Sequence, residues 1–366
     1  MSLKSYVKAH APRSFIPFIR GTYRAMMWPA RRIELSHIIS GAQKYLPYYQ
    51  DELSREILSA RLEYLRTGDK NIFLDLAEKT GMVFHSEPYG VYSGYSGIVL
   101  LHDNEGKDFR YSRRLLSSCD WSGKYRVITL REFLDGAKIS DSELIVPVLT
   151  EKGKVKFEKA LEGRSLHVYS GSVYSIREDL QYFDVFSPVD DEVVIDAGCY
   201  DGTTALQFLE WGEGKVKHIY SFEFDPENAA KCEENLKPYA DKITLIKKGT
   251  WDKDEVLHVN PNGTSGSSIR SKGSTAVYLT SIDNAVKDER VTFIKMDVEG
   301  AELKSLMGAR NTIIKDHPRM AICLYHKPED LYEIPGYIMS LVPEYKFLLR
   351  HYSSLGWETV LYAYCD

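Results

Sequence analysis

The stretch Val193-Val-Ile-Asp-Ala-Gly-Cys-Tyr-Asp-Gly-Thr-Thr204 decides how this chain folds. Val193 to Ile195 are apolar and read as a buried parallel strand, with Asp196 at its carboxyl end. Gly198 and Gly202 permit a tight turn and a close approach of backbone to a ligand. Thr203 and Thr204 then open a helix whose apolar residues are Ala205, Leu206, Phe208 and Leu209, and Gly212 stops it. Strand, glycine turn and helix N-terminus make a nucleotide-type site, because the first backbone N–H groups of a helix lack partners. An ordinary βα turn that happens to hold glycines would look the same in isolation. The segments downstream distinguish the two.

His218-Ile-Tyr-Ser-Phe222 reads as the next strand and ends in Glu223. An acid at that place can accept hydrogen bonds from both ribose hydroxyls. Nicotinamide enzymes and S-adenosylmethionine (SAM) enzymes share the feature, so it does not separate them. Asp225-Pro226-Glu227 starts a helix with an N-cap, a proline at the first helical position and an acid in the first turn. Ile243-Thr-Leu-Ile-Lys247 is a third strand. In the loop after it, Trp251 is placed to stack on an adenine and Asp252 to take its amino group, although a core aromatic explains Trp251 equally well. Residues 260–274, rich in Gly, Ser and Asn, form a loop long enough to be a lid.

Phe293-Ile-Lys-Met-Asp297 is a fourth strand, followed by Val298-Glu-Gly-Ala-Glu302 and a helix. Asp297 and Glu299 thus sit at a strand's carboxyl end, and Lys295 is available to pair with an acid. Ala321-Ile-Cys-Leu-Tyr325 is a fifth strand that delivers His326 to the same edge, where a histidine can remove a proton near neutral pH. Tyr345–Arg350 and Glu358–Ala363 read as a terminal pair extending the sheet.

Upstream, Asp51–Thr67 carries Leu53, Ile57, Leu58, Leu62 and Leu65 on one face and ends at Gly68, which is a core-facing helix. A second helix runs from about Asn71 to Lys79. A buried strand followed by an acidic turn over Gly97–Gly106, strands over Arg126–Leu130, Glu143–Leu149 and Ser165–Tyr169, and a helix over Lys152–Leu161 form a small open-sheet module. Its glycines, Gly90, Gly94 and Gly97, precede a strand instead of linking a strand to a helix, so they make no nucleotide fingerprint. A loop holding Pro188 marks the boundary, giving an arm over 1–50, an α/β module over 51–182 and the main domain over 183–366.

Composition narrows the classes further. The formal net charge of -5 argues against nucleic acid as the partner. Five cysteines without CxxC or metal-ligand spacing suit free thiols in a reducing, cytoplasmic setting. No apolar run approaches the roughly 20 residues that span a bilayer. Residues 1–33 hold basic and aromatic side chains and no acid, which suits a peripheral contact with an anionic membrane, a clasp on a neighbouring subunit in a homo-oligomer, or an arm packed on its own domain.

The run Val194–Thr203 is similar to motif I of class I SAM-dependent methyltransferases. Phe293–Glu302, Tyr325–Leu331 and Leu349-Arg-His-Tyr352 resemble the FkbM-type family, over about residues 180–366. That resemblance implies an α/β fold: a C-terminal seven-stranded Rossmann-like methyltransferase sheet, its last hairpin antiparallel, behind a smaller N-terminal α/β domain. It implies S-adenosyl-L-methionine as cofactor and O-methylation of a small-molecule acceptor: a sugar, glycan, or polyketide or peptide secondary metabolite. Carried onto this sequence, Asp196, Gly198 and Gly202, with Tyr200 and Thr203, shape the site for the methionine part. Glu223, beside Phe224, holds the ribose; Trp251 and Asp252 flank the adenine; Asp297 lies near the methyl group.

The expected mechanism makes His326 the base, with Asp297 or Glu299 orienting it or the acceptor hydroxyl. No metal is required, although Asp297, Glu299 and Glu302 leave a divalent ion open; against it, Glu302 is expected one turn into the helix. Two rivals remain. A nicotinamide oxidoreductase needs G-x-G-x-x-G, and the turn here is Gly-x-x-x-Gly after an acid. A non-catalytic SAM- or glycan-binding scaffold would dispense with Asp297 and Glu299.

Overall fold

The computed structural model describes residues 33–82, 94–104, 106–118, 124–169, 171, 180–259, 275–286 and 289–366. Most of the basic arm, Gly90 and the 260–274 loop lie outside them.

Strands β1 (Gly97–His102), β2 (Tyr125–Thr129), β3 (Glu143–Val148) and β4 (His167–Val168) form a parallel sheet in the order β2-β1-β3-β4. Strand β1 is apolar from Ile98 to Leu101 because both its faces are covered. Ile98 and Leu100 join one core with Phe109 and Leu115, and Val99 and Leu101 join another with Phe133 and Phe157. Phe109 and Leu115 belong to a helix, Lys107–Ser118, that the sequence reading left out. Its few apolar positions are diluted by basic and hydroxyl side chains, so periodicity alone did not show it.

The main sheet holds β5 (Glu192–Ala197), β6 (Val216–Phe222) and β7 (Ile243–Ile246). After them, β8 (Gly249–Thr250), β9 (Glu255–Val259) and β10 (Thr275–Thr280) form a separate sheet, β8-β10-β9, which the sequence reading also missed. The chain then returns as β11 (Phe293–Met296), β12 (Arg319–Cys323), β13 (Lys346–His351) and β14 (Thr359–Tyr364). The order is β13-β14-β12-β11-β5-β6-β7, with β14 antiparallel to both neighbours and the other pairs parallel. Connections leave β5 toward one edge and β11 toward the other. Their adjacent carboxyl ends therefore open a crevice at the switch point, where open α/β sheets take ligands.

The helix Glu52–Thr67 starts on an Asp51 cap and ends at Gly68 in the left-handed region. Its apolar face packs on the main sheet, where Ile57 and Leu58 share a core with Phe347 and Leu349, instead of on the small sheet that follows it in sequence. Polar contacts hold the register: Leu349 N donates to Ser54 Oγ at 2.8 Å, and Arg350 pairs with Asp51 at 2.7 Å. The β13–β14 connection reaches the small module, where Tyr111 Oη donates to the Ser354 carbonyl at 3.0 Å and Leu355 enters its core.

Candidate active site

The glycine turn is built as its residues dictate. Gly198 has φ +82°, and a Cβ there would lie 1.9 Å from the carbonyl oxygen of Asp297. Only glycine allows the ends of β5 and β11 to approach this closely. Gly202 (φ +89°) caps the helix Thr203–Trp211, whose first turn faces the crevice. Tyr200 between them also takes a positive φ of 53° and is partly exposed, its ring under the Lys231 ammonium.

Asp196 stands beneath this turn and not in it. It is fully buried, and its register partner on β11 is Lys295, whose ammonium lies 3.0 Å from Asp196 Oδ1 and donates to the Gly198 carbonyl at 2.7 Å. Burial pulls the Lys295 pKa down, but the charges of Asp196 and Asp297 outweigh it and hold the lysine cationic. Asp196 was expected to shape the site, and its carboxylate stands behind the turn instead of on the crevice surface. A carboxylate paired inside the sheet braces the turn from below.

Glu223 closes the neighbouring side. Its two oxygens accept from the backbone N–H of Tyr200 (3.0 Å) and of Asp225 (2.8 Å), tying the turn to the end of β6. Burial, only partly offset by these N–H donors, raises its pKa to about 7. A carboxylate offers about four lone-pair sites, so acceptor capacity remains for a ribose hydroxyl. Phe224 beside it is half-buried. Farther along the edge, Asp252 pairs with Lys304 through Oδ2 at 2.6 Å, while its buried Oδ1 has no hydrogen-bond partner. Trp251 lies close by, with the Lys304 ammonium over its ring at 5.8 Å. An orphaned acceptor next to an indole face suits an adenine amino group, and the donor set as a whole fits the adenosyl and methionine parts of SAM.

The ends of β11 and β12 carry the second cluster. Asp297 accepts from the hydroxyls of Tyr182 and Tyr325, each at 3.2 Å. Both tyrosines escaped the sequence reading. Tyr325 ends a strand next to His326 and was legible in principle, whereas Tyr182 comes from a distant loop with no local signal. Glu299 sits in a strained left-handed conformation (φ 54°) before Gly300 (φ 88°), which turns its side chain toward the cluster. His326 Nε2 lies 3.5 Å from both Asp297 Oδ1 and Glu299 Oε2, and Nδ1 lies 2.8 Å from Glu302 Oε1. Glu302 is the first residue of its helix, not one turn in, and Oε1 folds back to accept from the N–H groups of Val298 and Gly300. Asp297 and Glu299 keep 23% and 28% of their side-chain surface exposed, so this edge opens outward.

Electrostatics revise the expected role of His326. Burial lowers its pKa, but Glu299, Glu302 and Asp297 together push it up to about 11. Surrounded only by these carboxylates it is an imidazolium at neutral pH, and not the free neutral base that its position suggested.

This strand order, with a glycine turn at the switch point and an acid at the end of the next strand, is that of a class I SAM-dependent methyltransferase. Residues 196–349 match the Methyltransferase FkbM domain family. The chain is a SAM-dependent methyltransferase, with S-adenosyl-L-methionine as methyl donor. The chain is 26% identical to the 2-O-methyltransferase NoeI of Sinorhizobium fredii, over 44% of this chain and 74% of that protein. Among solved structures it is similar to a methyltransferase FkbM from Methylobacillus flagellatus, at 20% identity and a TM-score of 0.47, over 80% of this chain and 98% of the other. Fibrillarin from Aeropyrum pernix, solved with natively bound S-adenosyl-L-methionine, is 13% identical with a TM-score of 0.30, over 48% and 67%. No helix among the described residues is long and apolar enough to cross a membrane.

Proposed function

We propose that this enzyme transfers a methyl group to a hydroxyl oxygen of a sugar, glycan or related polyol acceptor. The observation behind the reading is the second cluster: Asp297, Glu299 and His326 within 3.5 Å, on an open edge beside the glycine turn. Ionised carboxylates only accept hydrogen bonds, so such an edge suits a ligand rich in hydroxyl donors. The similarity to the 2-O-methyltransferase NoeI is consistent with an oxygen nucleophile.

When bound, SAM supplies an electrophilic methyl group on a sulfonium. Glu223, Trp251 and Asp252 are assigned to its adenosine, and the turn from Gly198 to Thr203 to its methionine part. Asp297 and Glu299 orient the acceptor hydroxyl. With SAM held there, the acceptor oxygen would take the methyl group as the carbon–sulfur bond breaks, and the hydroxyl proton would pass to the carboxylates of Asp297 and Glu299, which the His326 imidazolium holds in place. Alignment accounts for most of the rate and proton removal for the rest. Replacing His326 with Ala lowers turnover by about 10²-fold or more and leaves SAM affinity nearly unchanged. The test pairs calorimetry of SAM with transfer of labelled methyl to a panel of hydroxylated and aminated acceptors. Transfer only to amines, or full turnover by His326→Ala, would overturn the assignment.

A further inference from the structure

The second cluster holds more negative charge than its one imidazole answers. Asp297, Glu299 and Glu302 all approach His326. A fourth acid, Asp330, begins the helix that packs against the Glu302 helix; it is fully buried, and neither of its oxygens has a hydrogen-bond partner. Glu302 is equally buried, and its Oε2 is also unpartnered. Buried carboxylates without donors are costly unless something positive is meant to sit among them.

His326 Nδ1 has a contact of hydrogen-bond length, 2.8 Å to Glu302, but its Nε2 side is looser. The 3.5 Å separations of Nε2 from Asp297 and Glu299 are long for hydrogen bonds. Ligand atoms of one octahedral ion, with bonds of about 2.1 Å, stand roughly 3 to 4.2 Å apart. Asp297, Glu302 and His326 each present an atom within 4.8 Å of the others, so a small inward movement of side chains closes a coordination shell. The objection from sequence, that Glu302 sits too far along its helix, does not hold, since it is the first helical residue.

We infer that Asp297, Glu302 and His326, with Glu299 at the open side and Asp330 as the buried charge behind, form a binding site for a divalent cation of the Mg2+ or Mn2+ class. Carboxylate oxygens with one imidazole suit Mn2+ well. The position deepens the reading above, on which its catalytic meaning rests. A cation there faces the acceptor edge, polarises the hydroxyl and makes its proton easier to lose, and Glu299 is the outward carboxylate that passes that proton on.

The test uses the full chain, stripped with chelator and dialysed, with Mn2+ as the probe and free Mn2+ read by electron paramagnetic resonance. The expected result is one Mn2+ per chain, competed by Mg2+, and weakened about tenfold or more in His326→Gln and Asp297→Asn. Circular dichroism checks that these variants fold, and Glu299→Gln, at a partly exposed position, supplies a milder variant that weakens binding less. Failure of the wild type to bind Mn2+ up to about 1 mM, or binding that none of the variants alters, overturns the site. SAM calorimetry on the same samples keeps the two readings apart. SAM binding without Mn2+ binding removes only the cation, whereas loss of SAM binding by the wild type removes the methyltransferase assignment beneath it.

Discussion

The two parallel sheets share an architecture and differ at their carboxyl edges. In the small sheet, β1 ends in His102-Asp103. The His102 ring stacks on Phe109 at 3.8 Å. Asp103 accepts from the N–H of Thr150 at 3.1 Å and from its hydroxyl, and Thr150 in turn caps the helix Glu151–Leu161. Gly153 packs so closely that a Cβ would fall 2.0 Å from Asp103 Oδ2. Both oxygens of Asp103 are committed to its own fold, whereas Nδ1 of the stacked His102 is buried without a hydrogen-bond partner. In the main sheet, Asp297 and Glu299 stay partly open, Glu223 keeps acceptor capacity, and Asp252 keeps an orphaned oxygen. A strand end with an acid and a histidine therefore does not make a site. What separates the two edges is the acids: Asp103 is closed off by Thr150, whereas Asp297 and Glu299 stay partly open.

That contrast can be broken at three points, taken from the largest effect down. Beneath the glycine turn, Lys295→Met leaves Asp196 buried without a counter-charge. The expected cost is about 3–5 kcal/mol in urea denaturation, with most of it recovered when Asp196→Leu is added. A near-normal single variant would show that the turn does not depend on the pair.

Glu223 comes next. Replacing it with Ala is expected to weaken SAM binding by about 10²-fold, the loss of a hydrogen bond from a ribose hydroxyl to a charged acceptor. The same residue predicts a pH dependence. Burial raises its pKa to about 7. The ionised form is the one that receives a ribose hydroxyl, so protons compete with SAM. Affinity should be flat above about pH 7 and fall by up to tenfold per unit below it. Glu223→Gln should flatten that profile in calorimetry, and an unchanged slope would assign the titration elsewhere.

The smallest effect belongs to the small sheet. Asp103→Ala should cost about 1 kcal/mol of stability while leaving the SAM dissociation constant as it was. A loss of SAM affinity there would erase the distinction between the two edges.

Much of this was legible in the chain itself. The run from Val193 to Thr204 specified strand, turn and helix, because Gly198 and Gly202 sit where no other residue fits. Pro226 behind an Asp225 cap, and Gly68 and Gly212 after apolar periodicity, marked helix ends by local chemistry that needs no distant partner. Local rules also placed Glu223, Asp297 and His326 at strand ends. They did not show the helix Lys107–Ser118 or strands β8 to β10, whose apolar positions are sparse or interrupted.

Only the tertiary structure decided what each charged group faces. Asp196 and Asp297 both end strands, yet register on β11 sets Lys295 against the first, and the tyrosines 182 and 325 reach the second. His326 looked like a neutral base until three carboxylates from the β11 end were set around it. Electrostatic character depends on distances between residues far apart in sequence and on the water excluded between them. The chain determines which groups are present and on which elements; burial and proximity determine their charge, and through it their chemistry.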